Sequence, residues 1–217
     1  STPSNSSAAS DVYKRQILIC MTNRKEVYIM TPASQLKPEL ITLTQYEALP
    51  EDKRVEVFEG TVYNMAGPSQ IHQALSMQLS NIIFNYIKNK KGQCSVFTAP
   101  FDVKLSDTPL TIVQPDIMVV CDKNKLDEKR CNGAPDFIIE ITSPGNSSDD
   151  YIRKLYYYKK YGVREYWIVD SKRKIITVNF FENNIVSVQY PFDSIIKVNI
   201  YDGLFIDFSE ISDVLSL

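Results

Sequence analysis

Residues 112–121 read IVQPDIMVVC, and residues 135–144 read PDFIIEITSP. Each is a short apolar run opened by proline-aspartate, rich in β-branched residues and too short for a helix of ordinary length, so both read as buried strands. Proline has no N–H to give a sheet ladder, which places Asp116 at the start of the first strand. In the second strand Glu140 stands among Ile138, Ile139 and Ile141. An ionised carboxylate buried without a partner costs several kcal/mol, roughly, even after relaxation, so this position demands a partner.

Side chains of a strand alternate between its faces. Asp116 therefore shares a side with Met118 and Val120, and Glu140 shares one with Ile138 and Thr142. The sequence alone leaves open whether the two sides coincide. A second acid, Asp136, lies on the Glu140 face of the same strand, but four residues of extended chain separate them by roughly 13 Å, too far to share one ion. Asp116 is the better partner. Two carboxylates brought side by side repel unless a cation lies between them, and hard dications such as magnesium take one or two carboxylates plus water and substrate phosphate. Downstream, Lys154 in DDYIRKLYYY (149–158) is placed to orient a water or neutralise a phosphate.

The rest of the chain supplies a core for such a site. Residues 70–90 carry Ile71, Leu75, Leu79, Ile82, Ile83, Tyr86 and Ile87, a helical spacing with one broad apolar face, and His72 lies near its start. Thr44 followed by Glu47 has capping-box spacing and predicts a short helix through Leu49. RVEVFEG and TVYNMA read as adjacent strands around a Glu59-Gly60 turn, with Arg54, Glu56 and Phe58 on the face opposite Val55 and Val57. Further strands are expected at CSVFTA, FDVKLS and EYWIVD, and a helix running to Gly162, capped from Ser148, Asp149 or Asp150, carries Lys154 and Tyr158 on one face. Asp102 reads as an exposed strand residue. An antiparallel meander turning at Asn183-Asn184 and a short terminal helix in FIDFSEISDVL complete the outline.

Composition narrows the chemistry. The 217 residues are 44% hydrophobic, enough for one substantial core. One histidine argues against a histidine-rich zinc centre, and none of the seven glycines builds a phosphate loop. No run is long and apolar enough to span a bilayer. The cysteines at 20, 94, 121 and 131 show no CxxC spacing, and a cytoplasmic setting is expected. The formal charge of -2 means that contacts to nucleic acid would come from local basic clusters rather than overall charge. Residues 1–40 form a leader of different character, whose SSAASDVYKRQ resembles a translated sequencing adapter; residues 41–217 are expected to be one domain.

TLTQYEALP, RVEVFEGTVYNMA with His72 soon after, VQPDIMVV, PDFIIEITSP and KLYYYKKYGVREYWIVD, in this order, resemble the Uma-two family of restriction-endonuclease-like proteins within the PD-(D/E)XK nuclease superfamily. The resemblance implies an α/β or α+β fold with a restriction-endonuclease-like core, a central mixed β-sheet flanked by helices. It implies Asp116 and Glu140 as the two metal-binding acids, Glu56 as the acid of the first core element, and magnesium or manganese as cofactor. The superfamily's lysine normally stands two residues after the second acid, where this chain has Thr142. The family carries it on the next helix, where Lys154 precedes Tyr158 and Gly162 at the family's spacing. His72 and Tyr158 are expected to position substrate. The activity implied is metal-dependent hydrolysis of DNA, by a homodimer if both strands are cut. The alternatives are a degenerate binding module of the same fold, or hydrolysis of RNA or a small nucleotide.

Overall fold

The computed structural model describes residues 40–50, 52–142, 148–182, 186–211 and 213. The leader through residue 39, the expected Asn183-Asn184 turn and most of the loop after Thr142 lie outside them.

The chain opens with helix α1 (Leu43–Glu47). Its capping box is formed by Thr42 and Gln45 rather than by Thr44 and Glu47. Strands β1 (Val55–Phe58) and β2 (Thr61–Asn64) form a hairpin, and Glu59 and Gly60 both take positive φ (48° and 80°), as expected of its two-residue turn. Helix α2 (Gln70–Asn89) starts at Ser69, whose hydroxyl accepts the His72 N–H. Strands β3 (Ser95–Thr98), β4 (Asp102–Asp107), β5 (Leu110–Val113) and β6 (Ile117–Val120) follow. The sequence 112–121 is therefore two strands rather than one, because Gln114 and Pro115 carry the chain from one sheet to another. After β7 (Arg130–Asn132) and β8 (Phe137–Ile141), helix α3 (Ser148–Tyr161) ends against Gly162 at φ 92°. Strands β9 (Glu165–Asp170), β10 (Ile175–Phe180), β11 (Val186–Pro191), β12 (Ile195–Lys197) and β13 (Phe205–Asp207) complete the order. The last falls within the stretch expected to add a helix; Phe205, Ile206 and Asp207 pair with β12 instead.

These elements form a mixed α+β fold. A six-stranded sheet runs β11-β10-β9-β8-β6-β3, antiparallel except for β8-β9, and a five-stranded sheet runs β2-β1-β5-β4-β7, with β4-β7 parallel. Alternation sorts the side chains of the six-stranded sheet into two cores. Ile117, Val119, Phe137, Ile139 and Trp167 pack with Leu75, Leu79 and Ile83 of α2. On the other face Met118, Val120, Ile138 and Tyr166 pack with Tyr157 and Tyr158 of α3 and with Phe58, Val103 and Val113 of the five-stranded sheet. Leu75, Leu79 and Ile83 are fully buried, and each such side chain stabilises by roughly 1.5–3 kcal/mol. The tail contributes Phe192, Ile196, Ile206 and Phe208 to the α2 core. The buried Glu165 fastens it there by accepting from Trp167 Nε1 (2.7 Å), Asn199 Nδ2 (2.9 Å) and the Ile200 N–H (3.0 Å).

Cys94 and Cys121 form a disulfide, 27 residues apart. Register makes it: Ser95 lies opposite Val120, so the preceding and following residues face each other. Sequence spacing carries no trace of this pairing. Among the described residues no helix is long and apolar enough to cross a membrane.

Candidate active site

Strand register brings the two acids together. In the antiparallel β6-β8 pair, Ile117 lies opposite Ile139 and Met118 opposite Ile138. One step further, Asp116 is the cross-strand neighbour of Glu140. Directly opposed residues of such a pair have Cβ atoms ≈ 4.5–5.5 Å apart, roughly. The question left open by alternation is thereby answered: Met118, Val120 and Ile138 share one core, and the two acids stand at the end of that face. Asp116 Oδ2 accepts the Ile141 N–H at 2.7 Å, which fixes its carboxylate against β8.

Glu56 arrives from the other sheet. Its Oε1 accepts the Gln114 N–H at 3.0 Å, so the short crossing between β5 and β6 holds Glu56 on one side and delivers Asp116 on the other. Lys154 and Tyr158, one helical turn apart on α3, point into the same place. Lys154 Nζ lies 3.0 Å from Glu56 Oε1 and 3.1 Å from Glu140 Oε1, and the Tyr158 hydroxyl donates to Glu140 Oε1 at 2.6 Å. All four of these side chains are buried. From the α2 side His72 places Nε2 3.0 Å from Asp116 Oδ2, while its Nδ1 is buried with no hydrogen-bond partner among the described residues.

Glu56, His72, Asp116, Glu140 and Lys154 therefore line one cavity of about 360 Å³, with Tyr158 behind Glu140. Burial pushes the Glu140 carboxyl up to about 8; Lys154 and Tyr158 oppose the shift, while Asp116 and Glu56 add to it. The Tyr158 hydroxyl is raised well above its ordinary value, by burial first and then by Glu140. The cluster thus holds more negative charge than one lysine balances.

Asp116 Oδ1 and Glu140 Oε2 lie outside the contacts just described. Among the described residues no three acidic, histidine or cysteine side chains cluster closely enough to enclose a metal on their own. Two adjacent carboxylates in a cavity lined by polar side chains nevertheless suit magnesium, which keeps several waters and is commonly bound by one or two carboxylates.

Two other acids have different surroundings. Asp136 accepts the Cys121 N–H at 2.8 Å and pins the start of β8. Asp102, expected to be an exposed strand residue, is half-buried; it accepts from the Tyr46 hydroxyl at 3.0 Å and from Gln114 Nε2 at 2.9 Å. Arg54 and Arg153, which are not among the expected site residues, also line the cavity beside Glu56 and Lys154. For Arg54 the signal was present, two residues before Glu56 on the same strand face.

The family model described as "Putative restriction endonuclease", Uma2, matches residues 43–207. The chain belongs to the Uma2 family. A crystal structure from Anabaena variabilis, described as "a putative nuclease belonging to DUF820", is similar with a TM-score of 0.67 at 21% identity, covering 81% of this chain and 99% of that one. That likeness establishes a shared fold. An uncharacterized protein of Synechocystis sp. is 27% identical over 119 residues, 55% of this chain, and the match spans 60% of that relative's length.

Proposed function

We propose that this cavity hydrolyses DNA phosphodiester bonds with magnesium or manganese held by Asp116 and Glu140. The observation that carries the proposal is the cross-strand apposition of these two acids, with a buried lysine from α3 against Glu140. When bound, the metal lowers the pKa of a coordinated water and stabilises charge developing on the phosphate. The chain's own groups do the remaining work. Tyr158 and the Ile141 N–H fix the orientations of Glu140 and Asp116, and His72 buttresses Asp116 from the α2 side. Lys154 balances Glu56 and Glu140 in the resting site and orients the attacking water or neutralises the phosphate as substrate enters. It takes the place of the lysine that Thr142 lacks. Water oxygen attacks phosphorus and gives up a proton to solvent, the P–O ester bond breaks, and the leaving alkoxide takes up a proton from solvent, giving a phosphomonoester and an alcohol.

Two copies related by a twofold axis would present such a cavity to each strand of a duplex, an arrangement in keeping with the commonest oligomer symmetry. The deciding experiment is calorimetric titration of magnesium and manganese into wild type and an Asp116→Ala, Glu140→Ala double variant, followed by nicking of supercoiled plasmid. Binding and nicking that vanish together in the variant support the proposal. Wild type that neither binds metal nor nicks would instead leave a binding module of the same fold.

A further inference from the structure

The cavity wall carries two cations that the chemistry above does not use. Arg54 immediately precedes β1 and shares the Glu56 face, because side chains two apart on a strand point the same way. Its main chain is fixed by the Met65 N–H donating to the Arg54 carbonyl at 3.0 Å. Its Nε is buried without a hydrogen-bond partner, and among the described residues it forms no ion pair. A buried donor left unsatisfied is unusual in a native protein and calls for an explanation. Arg153, next to Lys154 on α3, lies with its guanidinium carbon 4.1 Å from the Tyr63 ring centroid and 5.3 Å from that of Phe58. Stacking of this kind holds the planar fork in one orientation before any ligand arrives. Both arginines line the cavity that contains Asp116 and Glu140.

An anionic polymer approaching three acids is repelled, and Lys154 is already engaged by two of them. Cations elsewhere on the wall are needed to hold the strand, and guanidinium groups suit phosphate because their N–H donors match its oxygens in pairs. We propose that Arg54 and Arg153 grip a backbone phosphate adjacent to the scissile one, which makes the ligand a polynucleotide strand rather than a lone phosphodiester. The inference rests on the nuclease reading for the identity of the scissile phosphate, but it concerns binding and can be read without cleavage.

The test is fluorescence anisotropy of a labelled DNA oligonucleotide, with calcium in place of magnesium, over a series of potassium chloride concentrations. Wild type is compared with Arg54→Gln/Arg153→Gln, with Arg54→Lys/Arg153→Lys, and with Lys197→Gln on the exposed surface of β12. Losing charge-assisted hydrogen bonds of this kind weakens binding roughly ten- to a hundredfold. The glutamine pair should show that loss, with a log-log salt slope shallower by about 0.7–0.9 per arginine. The lysine pair keeps the charge, so it should retain most of the slope while losing affinity through the missing fork. It also supplies a reading if the glutamine pair fails to fold. Lys197→Gln should match wild type.

Glutamine and lysine pairs that both bind as wild type does, while wild type nicks plasmid, overturn the clamp and leave the hydrolytic proposal standing. Arginine-dependent binding by a wild-type protein that never nicks removes the hydrolytic proposal and keeps the clamp. Wild type that binds no oligonucleotide overturns the clamp outright.

Discussion

Replacing Lys154 with methionine keeps most of the stem volume and removes the one charge that Glu56 and Glu140 share. The three side chains are only 4%, 5% and 6% exposed, so water replaces little of what is lost. Without the ammonium the Glu56 and Glu140 pair keeps a buried negative charge that, among the described residues, meets the Gln114 N–H and the Tyr158 hydroxyl. The protein can keep that charge buried and unpaired, or protonate it. Protonating an ordinary glutamate with a pKa near 4.3 costs about 3.7 kcal/mol at pH 7 and about 1 kcal/mol at pH 5. The first figure caps the penalty and falls within the roughly 3–5 kcal/mol typical of breaking a buried ion pair. Lys154→Met should therefore lose about 3–4 kcal/mol at pH 7 and about 1 kcal/mol at pH 5. Urea unfolding in EDTA at both pH values measures this, and Glu56→Gln introduced alongside should recover most of the loss at pH 7. A penalty below about 1 kcal/mol at pH 7, the range of exposed pairs, or one equally large at pH 5, would refute the buried counter-charge.

Tyr158→Phe removes a donor from a buried carboxyl and should lower stability by about 1–3 kcal/mol, seen as a lower urea midpoint with unchanged slope; an unchanged midpoint would count against the 2.6 Å contact. In metal-free protein the folded state holds the Glu140 proton more tightly than the unfolded chain, with pKa about 8 against 4.5. That contribution is complete below pH 4.5 and fades as pH rises through 8, so melting temperature in EDTA should fall across this window. Glu140→Gln should flatten the profile. Magnesium binding at pH 7 should release protons, because a ligating carboxyl must give up its own; calorimetric heats that do not vary with buffer ionisation enthalpy would argue against Glu140 as a ligand.

Much of the site was legible because its residues violate the pattern around them. Glu140 inside an isoleucine run and Asp116 after a strand-opening proline stand out by alternation alone, and Lys154 and Tyr158 follow from helical spacing. What alternation cannot give is register. That Asp116 faces Glu140, and that Cys94 faces Cys121, depends on how β6 is set against β8 and β3, which no local property of the sequence specifies. The division of residues 112–121 between two sheets was missed for a related reason, since Pro115 marks a break without saying where the chain goes next. Asp102 looked exposed because its partners, Tyr46 and Gln114, are 56 and 12 residues away. The sequence signal of Arg54 and Arg153 is masked by their neighbours: each adjoins or shares a face with a more conspicuous acid or lysine.

Glu56 belongs to the five-stranded sheet and Glu140 to the six-stranded one, and a single ammonium group touches both. Lys154 is in this sense a buckle between the sheets, whatever part it plays in the proposed hydrolysis. A folding intermediate with only the six-stranded sheet formed would already have Asp116 opposite Glu140, but not the Glu56 that completes the balance of charge around the lysine. The full constellation exists only where the two sheets are docked, so completing the fold and completing the cluster are one and the same requirement.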